Sequence, residues 1–274
     1  MSKKPAGHKA RKRFGQNFLH DQGVIRQIIR SISPRDGDHM VEIGPGLGAL
    51  TEELLADAKA LDAIELDRDL IPILRTRFFN YEDRFRIFET DALKFDFSQL
   101  CSDQRPLRVV GNLPYNISTP LIFHLLSHAG LIQDMHFMLQ KEVVDRLASE
   151  PGTSDYGRLG IMTQYFCRVD PLFLVPPSAF NPAPKVDSAI VRLTPYRTLP
   201  HPAKDVRMLA DVLRTAFSQR RKTLRNNLRT LLDADALTAL EIDPGLRPER
   251  LTLAEFVRIS DYLSSNESEH HGAE

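Results

Sequence analysis

Between residues 38 and 194, short apolar runs of strand length recur at 39–43, 61–66, 85–89, 108–110, 135–139, 165–169 and 189–193, with helical patterns between them. Strands separated by helices rejoin a sheet through crossovers, so this alternation predicts a mostly parallel α/β sheet. The pattern stops at residues 194–202, where Pro195, Pro200 and Pro202 mark a linker. Beyond it Val206, Leu209, Leu213, Ala216, Phe217, Leu224, Leu228 and Leu231 keep helical spacing, and 237–240 and 256–263 suggest further helices. Two domains are expected: residues 1–197, holding the sheet and a basic N-terminal arm, and residues 198–274, small and all-helical. The last dozen residues read as a frayed tail.

An apolar share of 42 % over 274 residues can bury a core, which removes disordered and fibrous chains from consideration. Cys101 and Cys167 stand 66 positions apart and outside any Cys/His cluster. Neither a disulfide framework nor a metal is therefore expected, and a reducing cytoplasm is the natural compartment. No apolar run approaches the length a bilayer requires, and residues 14–21 lack the apolar stretch of a secretion signal. The expectation is a cytoplasmic monomer without membrane contact.

Lys plus Arg and Asp plus Glu are both 36, yet the charge is unevenly divided. Residues 1–13 carry six bases and no acid, residues 36–103 carry 16 acids against 7 bases, and residues 204–229 carry 8 bases against Asp205 and Asp211. Basic segments suit a polyanion, whereas an acidic pocket suits a cationic ligand and repels phosphate. In the C-terminal segment Arg207, Arg214 and Arg221 are seven apart, Arg225 and Arg229 follow at intervals of four, and Lys222 lies between. On one continuous helix the arginines share a face within roughly 80°, a ridge able to grip phosphates. A merely solvated face is the plain alternative.

Residues 41–51, Val-Glu-Ile-Gly-Pro-Gly-Leu-Gly-Ala-Leu-Thr, follow a strand and open a helix, with Gly44, Gly46 and Gly48 where the backbone turns tightly against a ligand. Glu65 closes the next strand 21 positions after Gly44, the place of an acid that binds ribose hydroxyls. Asp91 and Ala92 close the third strand and suit an adenine edge. A dinucleotide and S-adenosylmethionine both use such an acid, but only the dinucleotide brings a pyrophosphate. Pro45 removes an amide donor from the loop, and Glu42, Glu52, Glu53, Glu65, Asp67 and Asp69 crowd the region. That balance favours the sulfonium and ammonium groups of S-adenosylmethionine.

Residues 112–115, Asn-Leu-Pro-Tyr, follow the fourth strand at the edge where α/β sheets bind ligands. The Asn112 side-chain oxygen and the Leu113 carbonyl can accept the two N–H bonds of an adenine amino group. That favours a pyramidal nitrogen whose lone pair points at a methyl donor. Pro114 belongs to the same catalytic motif, and Tyr115 offers a face for stacking an extruded base. A plain Asn-x-Pro turn is the alternative.

With these motifs the chain resembles the ribosomal RNA adenine N6-dimethyltransferase family, of the KsgA type that acts on small-subunit ribosomal RNA. The likeness rests also on 14–19 Phe-Gly-Gln-Asn-Phe-Leu, 140–143 Gln-Lys-Glu-Val, 156–159 Tyr-Gly-Arg-Leu, 177–180 Pro-Ser-Ala-Phe, 184–188 Pro-Lys-Val-Asp-Ser and the 219–228 segment, and so spans almost the whole chain. It implies a Rossmann-like class I S-adenosylmethionine-dependent methyltransferase sheet with one reversed strand. It implies binding of the methyl donor by Gln16, Asn17, Leu19, Gly44, Gly46, Glu65, Asp91, Ala92 and Asn112. Phe180 would stack on the target adenine opposite Tyr115, the alternative being a core aromatic. The implied reaction is N6,N6-dimethylation of two adjacent adenosines near the 3′ end of small-subunit RNA, on the assembling small subunit. Two other readings share part of the pattern: a large-subunit RNA methyltransferase conferring antibiotic resistance, and a non-catalytic RNA-binding assembly factor.

Overall fold

The computed structural model describes residues 16–271, with side chains through residue 266. The basic arm at 1–13 lies outside the described residues. By packing, the chain divides into two units: residues up to Val144 with Arg168–Pro195, and Asp145–Cys167 with residues from Tyr196 onward.

The first unit begins with β1 (Phe18–Leu19) and α1 (Gln22–Ile32). Asp21 starts α1 by accepting hydrogen bonds from the amides of Gly23 and Val24 at 2.8 and 3.0 Å, and Ile25, Ile28, Ile29 and Ile32 form its buried stripe. There follow β2 (His39–Ile43), α2 (Ala49–Asp57), β3 (Ala60–Glu65), α3 (Leu70–Arg77), β4 (Phe85–Glu89), β5 (Leu107–Asn112), α4 (Ser118–Leu126) and β6 (Ile132–Gln140). α5 (Lys141–Leu147) and α6 (Arg158–Phe166) lead into β7 (Cys167–Val175), β8 (Phe180–Asn181) and β9 (Ser188–Pro195).

Seven strands form one sheet in the order β4-β3-β2-β5-β6-β9-β7, and β1 pairs with β8 apart from it. β2 to β6 run parallel in their pairings, and β9 lies antiparallel to β6 with Phe137 opposite Val191. β9 is thus reversed against β6, a reversal that the family resemblance implies and that hydrophobic periodicity does not reveal. All five residues of β2 are buried, as expected of a parallel strand covered on both faces. The chain leaves β2 toward β3 on one side and returns as β5 on the other, which opens a crevice at the carboxyl ends of β2 and β5. At the opposite ends of β5 and β6, buried Arg108 clamps Asp134 through Nε and Nη2 at 3.0 and 2.9 Å and reaches Asp38 at 2.6 Å.

The strand expected at 165–169 is displaced: Tyr165 and Phe166 end α6, and β7 begins at Cys167. Tyr165 is buried in the second unit, where its hydroxyl accepts a hydrogen bond from the Ala203 amide at 3.1 Å, so helix packing overrides its strand propensity. Residues 145–167, read from sequence as part of the sheet domain, pack with the helices after Tyr196. The other end of that division, at Pro195, falls beside the proline-rich linker.

The second unit contains α6 and, after Tyr196, α7 (Val206–Ala216), α8 (Leu224–Asn227), α9 (Ala234–Ala239) and α10 (Leu253–His271). α10 carries helix into the segment read as a frayed tail. The continuous helix expected from Val206 to Leu231 does not form. α7 ends at Ala216, and Asn227 Nδ2 donates to the carbonyls of Ala216 and Gln219 at 2.7 and 3.1 Å. Residues 244–246 supply acceptors for the first amides of α8, with Leu224 N to Leu246 O at 2.8 Å and Arg225 N to Pro244 O at 3.1 Å. A buried amide thus stabilises a turn between two helices, and the single five-arginine ridge is absent. Arg207 and Arg214 share α7, Arg221 and Lys222 lie in the turn, and Arg225 sits on α8, all exposed.

Candidate active site

The turn after β2 sets the geometry. Gly44, Gly46 and Gly48 adopt φ of 66°, 60° and 84°, the left-handed region that disfavours side chains. A Cβ on Gly44 would meet nothing within 4 Å, so the backbone there borders open space. That space is a cavity of about 320 Å3 at the crevice. Its wall includes Gln16, Asn17 and Leu19 from the N-terminal segment, Gly44 and Gly46 from the turn, and Glu65, Asp91 and Ala92 beyond β3 and β4. Asn112, Leu113, Pro114 and Tyr115 complete it beyond β5.

Register brings these residues together. Ile43 is opposite both Ile64 and Gly111, so Gly44, Glu65 and Asn112 emerge side by side from three adjacent strands. Gly111 has no room for a side chain, since its Cβ would lie 2.7 Å from the Ile43 carbonyl oxygen. The tight approach of β5 to β2 thereby fixes where Asn112 leaves the sheet.

Glu65 is buried and held at both oxygens: Oε1 accepts from the Asp67 amide at 2.8 Å and Oε2 from the Gly46 amide at 3.3 Å. Burial raises its carboxyl above the ordinary range, against the pull of these amides. A carboxylate oriented in this way has lone pairs left to accept from vicinal hydroxyls. Asp91 is keyed to its own turn, Oδ1 accepting from the Leu93 amide at 3.0 Å.

Asn112 donates Nδ2 to the Asn17 carbonyl at 3.0 Å, and its Oδ1 accepts nothing among the described residues. The Leu113 amide donates to Met138 O at 3.2 Å, while the Leu113 carbonyl accepts nothing among them. Two acceptors thus stand together without internal partners. Tyr115 is tied by a 3.0 Å hydrogen bond between its hydroxyl and Ser188 Oγ, which holds the ring at the cavity wall. Phe180 is placed differently: it is 4 % exposed, belongs to the hydrophobic core with Leu19, Val175 and Ala179, and does not border the cavity. The β1–β8 pairing sets Leu19 opposite Phe180 and draws that ring inward, the core position that was its plain alternative.

Other residues complete the wall, among them Glu42, which the sequence reading placed only in the acidic surroundings, and Leu66, which it passed over. Glu42 is buried with its Oε2 accepting from Thr51 Oγ1 at 2.6 Å, and burial pushes its carboxyl up to about 7. Leu66, 49 % exposed, borders the same cavity. Their signals were an acid inside a strand two residues before a glycine turn and an apolar residue directly after the strand-end acid. Among the described residues no group of three or more His, Cys, Asp or Glu could hold a metal ion, and no helix is long and apolar enough to cross a membrane.

The chain matches the family model "Ribosomal RNA adenine dimethylase" over residues 7–265. It is 67 % identical over 258 residues to "Ribosomal RNA small subunit methyltransferase A" of Marinobacter nauticus, covering 94 % of this chain and 93 % of that protein. The protein of that name from Pseudomonas aeruginosa is 63 % identical over 257 residues, with 94 % and 96 % covered. Among solved structures, a dimethyladenosine transferase from Plasmodium falciparum aligns with a TM-score of 0.77 at 30 % identity, over 92 % of this chain and 98 % of that one. The 23S rRNA methyltransferase ErmE aligns with a TM-score of 0.68 at 24 % identity, over 90 % and 100 %, a likeness of fold. The sheet is accordingly that of a class I S-adenosylmethionine-dependent methyltransferase, and the chain belongs to the ribosomal RNA adenine dimethylase family.

Proposed function

We propose that this chain dimethylates N6 of two adjacent adenosines near the 3′ end of small-subunit ribosomal RNA, with S-adenosylmethionine as methyl donor, while the small subunit matures. The observation that carries the reading is the pinned Asn112 amide. Its Oδ1 and the Leu113 carbonyl are two unpartnered acceptors at the mouth of an acid-walled cavity. An adenine amino group has two N–H donors, and satisfying both aligns its lone pair into the cavity.

The residues present fit the donor. Gly44 leaves its side of the wall open, Glu65 suits ribose hydroxyls, and Asp91 with Ala92 suits an adenine edge. Glu42 and Glu65 supply the negative field a cationic ligand needs. When bound, S-adenosylmethionine supplies an electrophilic methyl group: the C–S electron pair returns to sulfur, the N6 lone pair forms the C–N bond, and the N6 proton leaves to water. Asn112 and Leu113 orient the nitrogen, and Tyr115 offers its ring to the base. Exposed Arg207, Arg214, Arg221, Lys222 and Arg225 give the second unit phosphate-binding capacity on two helices and a turn. The names of the relatives support the small subunit over the large one. The reading is of a cytoplasmic monomer working on ribosomal particles, without membrane contact.

Mass spectrometry of digested small-subunit RNA from cells with and without this protein tests it. Loss of dimethyladenosine, restored by the wild-type chain and not by Asn112→Ala, is expected. Unchanged dimethyladenosine would overturn the assignment.

A further inference from the structure

Residues 16–19 cross the cavity as a segment fastened on both sides. Gln16 Nε2 donates to Asp67 Oδ2 at 2.8 Å, beyond the end of β3. The Asn17 carbonyl receives Asn112 Nδ2 at 3.0 Å, at the end of β5. Phe18 and Leu19 pair with β8, and a Cβ on Gly46 would come within 3.2 Å of the Phe18 ring. Asp67 in turn gives its amide to Glu65 Oε1, and Glu65 Oε2 accepts from Gly46. An unbroken line of contacts therefore runs from the ribose acid through Asp67, Gln16 and Asn17 to the amide that faces the target base.

We propose that Gln16 is a positioning residue for methyl transfer: its latch to Asp67 keeps residues 16–19 down, and the Asn17 carbonyl then holds the Asn112 amide in the productive orientation. The physical reason is the asymmetry of an amide. Asn112 presents oxygen to the base only while its nitrogen has an acceptor on the other side, and that acceptor is the main-chain carbonyl of Asn17, the residue just before β1. If the segment lifts, the amide is free to rotate and offers N–H where an acceptor is required. The same lifting removes the wall formed by Gln16, Asn17 and Leu19, so the methyl donor and its product leave more quickly. Donor retention and acceptor alignment are thereby one event, governed from the Gln16 side chain.

This inference rests on the proposed reaction, and its test is chosen to separate the two. Release of S-adenosylhomocysteine from the full chain is followed by stopped-flow, and methyl transfer to immature small-subunit particles is followed in single turnovers with donor saturating. The wild-type chain serves as control, since failure to bind the probe or to methylate there would count against the proposed function and not against the latch. Gln16→Ala should release the probe about tenfold faster, the scale of one hydrogen bond to a charged acceptor, and should also slow the single-turnover step. Gln16→Glu faces Asp67 with a second carboxylate, so its fast release should return toward the wild-type rate as pH falls from 8 to 5.5 and a proton is shared between the two. Hydrogen exchange at the amides of residues 17–19 should rise in Gln16→Ala while that of β5 stays unchanged. Wild-type release from Gln16→Ala would overturn the latch. Fast release with an unaltered single-turnover rate would overturn its connection to Asn112.

Discussion

The Asn17 carbonyl lies 3.0 Å from Asn112 Nδ2, so a residue 95 positions away in sequence fixes the orientation of the Asn112 amide. Asn112 is half-buried and closes β5. Asn112→Ala is expected to keep the wild-type melting temperature within a degree or two and to lose about a hundredfold or more in single-turnover rate. A variant that unfolds, or one that methylates at the wild-type rate, would make Asn112 a turn residue only.

Glu65 is oriented by amides on both sides, from Asp67 and Gly46. Removing its carboxylate leaves ribose hydroxyls without acceptors, so Glu65→Ala should bind S-adenosylmethionine more weakly by about 1–3 kcal/mol. Calorimetry measures this directly, and equal affinity would remove Glu65 from the donor site.

Glu42 gives the apo protein a pH dependence. Burial raises its carboxyl from 4.5 to about 7 in the folded chain. Between those values the folded state holds a proton that the unfolded state has lost, so this residue's contribution makes the fold less stable as pH rises from about 4.5 to 7. Glu42→Gln should abolish that contribution and stabilise the apo protein at pH 8, by at most on the order of 3 kcal/mol. A cation in the cavity favours the charged carboxylate, so donor binding should release a proton and weaken as pH falls below 7. Denaturant titrations and calorimetry in buffers of different ionisation enthalpy check both signs.

Gly111 shows how closely the strands under the site approach. An alanine there would set its methyl 2.7 Å from the Ile43 carbonyl oxygen, a backbone atom that cannot swing aside. Gly111→Ala should lower stability by about 1–3 kcal/mol through overpacking, and also impair turnover by shifting Asn112. Normal stability and activity would show that β2 and β5 separate readily.

Arg221 and Arg225 are exposed in the turn after α7 and on α8. Changing both to Glu should weaken binding to small-subunit particles and flatten its salt dependence by about one log unit per lost phosphate contact. Donor affinity should stay constant. An unchanged salt slope would move the docking surface elsewhere, with residues 1–13 as the first alternative.

The primary structure by itself determined the α/β class, because strand-length apolar runs alternating with helical ones leave crossovers as the economical connection. It also determined four anchors of the cavity wall, since Gly44, Glu65, Asp91 and Asn112 belong to strand ends whose position follows from local pattern. Other features needed the folded chain. The reversal of β9 is a pairing choice between distant segments, and periodicity is the same for either direction. Tyr165 reads as strand and ends a helix, because its burial among helices outweighs its local preference. The seven-residue spacing of Arg207, Arg214 and Arg221 means one helix face only if the helix continues, and the Asn227 amide stabilises a turn there instead. Phe180 goes to the core because β1 pairs with β8. Tertiary structure likewise decided the orientation of Asn112. A side-chain amide has two chemically different ends, and only a partner brought in from elsewhere in the chain selects between them.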